Sequence, residues 1–189
     1  MNISEKHKAF LWMMAKTASI HCSQVFALYG FETRGRATIG NALVHNHATV
    51  IPENSSDYTF ICTARNPFER YLSWYKFNNK NPSLWSPSHF RNYFYKNQGT
   101  SPKFLWPFND RLPDYFIRTE HLWRDYNEIP FIRNSKFNKS GALYDFCQTR
   151  INSTPPLPNP EKYYTTDMID FFLTNGKKYF DLLNYSYPY

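Results

Sequence analysis

Three features of this 189-residue sequence predict an α/β fold with a mainly parallel central sheet flanked by helices. Short apolar runs of strand length alternate with stretches of helical period, the arrangement that builds parallel sheets with crossover helices. The segment Tyr58-Thr59-Phe60-Ile61-Cys62-Thr63-Ala64 is β-branched, aromatic and apolar on both faces, as a central strand covered on each side requires. Arg65-Asn66-Pro67 breaks that run with helix-start chemistry. Asn66 stands as N-cap, Pro67 at the first helical position and Glu69 two residues on.

The remaining elements follow in chain order. Ala9–Met14 is an apolar run suited to a buried strand. From Ser19 the period turns helical, with Cys22, Val25, Phe26 and Tyr29 on one stripe and Gly30 as the stop. Residues 31–57 are loop-like, with a short helix expected around Thr38–Val44. The helix after Pro67 buries Phe68, Tyr71, Leu72 and Tyr75. Ser86-Pro87 opens another, carrying Phe90, Tyr93 and Phe94 to about Asn97. Residues 98–113, with Gly99, Pro102, Pro107 and Pro113, form a surface loop. Tyr115–Thr119 is a strand, followed by a helix over Glu120–Asn127. Residues 151–160 hold four prolines and exclude regular structure, and a last helical region runs from Thr166 to Leu183 with a break at Asn175-Gly176.

Length and composition narrow the function. At this size one domain, residues 1–189, is expected, large enough to bury a core without staples. Lys and Arg total 22 against 15 Asp and Glu, a net charge of +7, which favours anionic partners. The charges are dispersed without a run of five, so nucleic acid is not the expected partner. Cys22, Cys62 and Cys147 are odd in number and far apart. They read as reduced thiols and give no zinc spacing. The longest N-terminal apolar run, Ala9–Ala15, is too short to cross a bilayer, and a soluble cytoplasmic chain is expected.

Three segments carry chemistry. Ala15-Lys16-Thr17-Ala18-Ser19 lies between a strand and a helix, where backbone amides, the helix dipole and a lysine can meet a phosphate. Without glycines before Lys16 it does not fit the Walker pattern, and a solvated lysine at a helix start is an equal reading. Arg65 ends the central strand, and Ser73 returns to the face of Asn66 about two turns, roughly 10 Å, along the helix. An Arg65–Glu69 ion pair and a solvent-facing serine are an equal reading of that spacing. His45-Asn46-His47-Ala48-Thr49 precedes the central strand and is without metal-ligand spacing.

Lys16-Thr17-Ala18-Ser19 resembles the 5′-phosphosulfate loop of sulfotransferases that use 3′-phosphoadenosine-5′-phosphosulfate. Arg65-Asn66-Pro67-Phe68-Glu69-Arg70-Tyr71-Leu72-Ser73-Trp74-Tyr75 closely resembles their 3′-phosphate motif, R-[DNH]-P-[FYW]-x-R-x-x-S-x-[YF]. Phe116–Leu122 is similar to the later strand–helix junction of that family, and Tyr163 through Tyr185 to its closing helix, so the resemblance covers nearly the whole chain. It departs at Ala15 and Ala18, where the family commonly has Pro and Gly, at Ile20, where a second hydroxyl is frequent, and at His21, which stands for Ser or Trp.

The resemblance implies a P-loop-NTPase-like sulfotransferase fold and in-line transfer of the sulfuryl group to an acceptor hydroxyl on a glycan or small molecule. Adenosine 3′,5′-bisphosphate would be the product. The loop Lys16, Thr17, Ala18, Ser19, Ile20 and His21 would hold the 5′-phosphosulfate, with Lys16 neutralising the bridging oxygen. Arg65 and Ser73 would hold the 3′-phosphate. The family's His-Ala-Thr stretch makes His47 the expected general base, with His45, Glu32 and Glu53 as alternatives. No metal is expected, because the leaving group is an already stabilised phosphate. A small P-loop kinase using ATP and Mg²⁺, or a non-catalytic anion- or glycan-binding relic of the fold, are the rival readings.

Overall fold

A computed structural model of the chain describes residues 2–33, 37–39, 42–44, 55–97, 111–149 and 155–189. It is an α/β structure that divides into two compact units, each built from two stretches of chain. The first is Met1–Arg65 with Asp110–Ser153, the second Asn66–Asn109 with Thr154–Tyr189.

The first unit contains a five-stranded sheet in the order β3-β1-β2-β6-β7. Its strands are β1 (Asn2–Ser4), β2 (Ala9–Trp12), β3 (Glu32–Thr33), β6 (Thr59–Ala64) and β7 (Tyr115–Arg118). The expected parallel arrangement holds for β2, β6 and β7, with Trp12 opposite Cys62 and Ala64 opposite Arg118. β1 runs antiparallel to both β2 and β3, so the sheet is mixed. The antiparallel edge is absent from the sequence reading because Asn2-Ile3-Ser4 is too short and polar to show a strand pattern. It forms because the polar Glu5–Lys8 turn folds it back onto β2, with Lys8 in the left-handed region at φ 43°.

β2 alternates as a sheet covered on both sides must. Ala9, Leu11 and Met13 join a core with Val25 and Phe26 of α1 (Ser19–Leu28), Ile61 of β6 and Ile117 of β7. Tyr126 of α4 (Leu122–Glu128), Ile132 of α5 (Pro130–Arg133) and Leu143 of α7 (Ala142–Gln148) complete that core. α6 (Lys136–Lys139) bridges the last two helices. Phe10 and Phe60 stack on the other face at 4.7 Å, and the Arg111 guanidinium lies 5.5 and 5.8 Å from their ring centres. Each such fully buried side chain contributes about 1.5–3 kcal/mol.

The expected helix at Thr38–Val44 is instead an antiparallel pair of strands, β4 (Ala37–Ile39) and β5 (Ala42–Val44). β-Branched Thr38, Ile39 and Val44 favour the extended form over a helix of so few residues.

The second unit packs α2 (Pro67–Asn78), α3 (Pro87–Asn97), α8 (Thr166–Asn175) and α9 (Lys177–Leu183). Its core is aromatic: Phe68, Tyr71 and Tyr75 of α2 meet Phe90 and Phe94 of α3, then Tyr164 and Phe172. Most pairs are edge-on, as between Tyr75 and Phe90 at 5.1 Å, the geometry the ring quadrupole prefers. Gly176 separates α8 from α9 because a Cβ there would sit 2.8 Å from the Phe172 carbonyl oxygen.

Candidate functional site

Because β2, β6 and β7 are parallel and adjacent, the segments leaving them share one edge of the sheet. These are Met13–Ala18 after β2, Arg65 after β6 and Thr119–His121 after β7. Ligands of open α/β sheets bind at this carboxyl edge. The Thr119 hydroxyl donates to the Ala64 carbonyl oxygen at 3.0 Å, tying the exit of β7 to the last residue of β6.

The loop between β2 and α1 is strained. Lys16 and Ala18 both have left-handed backbones, at φ 64° and 55°. Such a conformation costs a non-glycine residue about 1–2 kcal/mol, so the surroundings must impose it. They do so around Thr17, which is fully buried. Its hydroxyl donates to the Met14 carbonyl oxygen at 2.6 Å and accepts from the Thr63 hydroxyl at 2.5 Å. Thr63 in turn accepts from the Met14 N–H at 3.0 Å. The hydroxyl proton of Thr17 is therefore committed to the loop itself, and its backbone amide is the group left for an anion. Ala18 adopts a left-handed turn that glycine would enter without steric cost.

Ala18 is the N-cap of α1 and offers no side-chain oxygen, so the first-turn amides present the positive end of a ten-residue helix. Ser19 and Ile20 are half-buried there. Lys16 is half-buried too, and its amine is pushed below the usual lysine range, first by burial and then by the positive charge of Arg65. Two cations are thus held close enough to feel each other's charge. His21 turns its ring into the core, 4.7 Å from Phe146 and 6.1 Å from Tyr126. It is 3% exposed, its Nε2 has no partner, and burial lowers its pKa to about 4.

Arg118, at the end of β7, is directed away from ligand duty. Its Nε and Nη2 donate to the Asp125 carboxylate at 2.8 and 2.6 Å, and its backbone N–H donates to the same group at 2.8 Å. Asp125 is 2% exposed and the Arg118 side chain 24%, so this bidentate pair is buried at its carboxylate and locks β7 to α4.

In the second unit, the Asn66 side-chain oxygen caps α2 by accepting from the Phe68 N–H at 3.1 Å. Its amide donates to the Ser186 carbonyl oxygen at 2.8 Å. Glu69 accepts from the Tyr189 hydroxyl, and the Tyr187 ring packs on Phe68 at 4.9 Å, so residues 186–189 strap the first turn of α2. Ser73 is half-buried two turns along. Arg65 belongs to the first unit and Ser73 to the second.

His45, His47 and Glu53 lie outside the described residues. Glu32 is exposed on the edge strand β3, where it pairs with Ile3 and stands level with Phe10 rather than at the carboxyl edge. Thr63 and Thr119 were not among the expected site residues. The signal for Thr63 is a hydroxyl within the buried part of β6, beside Ile61, Cys62 and Ala64. Scans of family models, characterised proteins and solved structures return no match. Among the described residues no three potential ligands cluster to hold a metal, and no helix is long and apolar enough to cross a membrane.

Proposed function

We propose that the chain is a sulfotransferase that moves the sulfuryl group of 3′-phosphoadenosine-5′-phosphosulfate to an acceptor hydroxyl. One observation carries this reading. The Lys16-Thr17-Ala18 turn is held in left-handed geometry at the start of α1, beside Arg65 on the carboxyl edge of the sheet. It supports the P-loop-like fold that the motifs imply. The 5′-phosphosulfate would take the amides of residues 16–21 and the Ser19 hydroxyl, with the Thr17 hydroxyl serving the loop. The motif assigns Arg65 to the 3′-phosphate. Three cysteines outside any disulfide suit a cytoplasmic enzyme.

In the reaction, the acceptor oxygen attacks sulfur in line as the bond from sulfur to the bridging phosphate oxygen breaks. Charge develops on that oxygen, and the Lys16 ammonium neutralises it. A bound anion opposes the burial and the Arg65 charge that lower the Lys16 amine. The acceptor proton passes to a general base, which the resemblance assigns to His47. The Lys16→Ala variant tests the mechanism. Turnover should fall about 10²–10³-fold, the scale of losing one transition-state stabiliser, and product affinity should fall less. Intact turnover would contradict the role.

A further inference from the structure

We infer that Thr63, which lies outside every motif of the sequence, is a positioning residue for the catalytic loop. This rests on the function proposed above. The three hydrogen bonds around it form a directional circuit. Met14 N–H donates to Thr63 Oγ1, Thr63 O–H to Thr17 Oγ1, and Thr17 O–H to the Met14 carbonyl oxygen. Each hydroxyl has one proton, so fixing the Thr17 donor fixes the direction of the Thr63 donor. Both threonines are fully buried and Met14 nearly so, leaving water no share in the circuit.

The circuit joins the segment leaving β2 to the central strand β6 and clamps Thr17 on the side chain between two left-handed residues. Thr63 therefore sets where the Lys16 amine stands without touching an anion itself. Misplacement of a catalytic group by about 1 Å costs up to about 10²-fold in rate, so loss of the clamp should reach the chemistry. Valine at position 63 has nearly the shape of threonine and can neither accept from Met14 nor donate to Thr17. Serine keeps both bonds.

The test compares Thr63→Val and Thr63→Ser for turnover, for affinity toward adenosine 3′,5′-bisphosphate, and for hydrogen exchange at the Met14 amide. The valine variant should lose about 10–100-fold in kcat with bisphosphate affinity within a few-fold of wild type, and its Met14 amide should exchange faster. The serine variant should restore both. Wild-type kcat in Thr63→Val, or an equal kcat loss in a folded Thr63→Ser, overturns the assignment. If Thr63→Val does not fold, Thr63→Ser and Thr17→Val carry the comparison, the latter expected to show the same loss of kcat. A wild-type chain that binds no bisphosphate overturns the functional reading itself, a failure distinguished by the wild-type control alone.

Discussion

At His21 a single side chain shows how burial sets chemistry. The ring stands at the third position of α1, packed against Phe146 and Tyr126, and its pKa is about 4 against an ordinary 6.5. The unfolded chain binds a proton at this residue between those values and the folded chain does not. Stability from this site is therefore complete above pH 6.5 and is lost as pH falls toward 4, by about 3 kcal/mol in all. Denaturant unfolding of wild type and His21→Phe across this range measures it. Their stability difference should shift in favour of the variant on acidification, and a constant difference would contradict the buried neutral ring. Ala18 makes the complementary point for backbone. Its left-handed φ of 55° is invisible in the residue name, because alanine ordinarily signals a right-handed helix.

Among the elements, β7 and α4 depend most visibly on one polar contact. Asp125 is buried beside Arg118, and removing it takes away the carboxylate that accepts three of that residue's hydrogen bonds at a strand end. Asp125→Ala should cost about 3–5 kcal/mol, measured as a fall in denaturant midpoint, whereas a loss under 1 kcal/mol would show that solvent already satisfies Arg118. The parallel strands β2, β6 and β7 and the helices α1, α2 and α3 are legible in the sequence because each carries its own period or cap. β1 and β3 are not, since strands of three and two residues exist only through their partners. The 38–44 strand pair is misread for a related reason: seven mixed residues satisfy helix and strand patterns alike. In the candidate site, Lys16 and Arg65 are legible as charges at element boundaries. The Thr17–Thr63 contact joins residues 46 apart, so no local pattern reveals it.

For the molecule as a whole, the division into two units follows aromatic packing that sequence order conceals. The described residues 66–97 find their core partners in 155–189, as where the Tyr164 hydroxyl donates to the Phe68 carbonyl oxygen at 2.6 Å. In the proposed function the net charge of +7 suits a polyanionic donor, and the Arg65 motif would select that donor over ATP. ATP lacks a 3′-phosphate, and charge-assisted bonds to that group contribute about 1.5–3 kcal/mol each. Calorimetric titration with adenosine 3′,5′-bisphosphate and with AMP isolates that group. The bisphosphate should bind at least about tenfold more tightly, with the difference erased in Arg65→Ala. Equal affinity for the two nucleotides in the wild-type chain would contradict the sulfotransferase assignment.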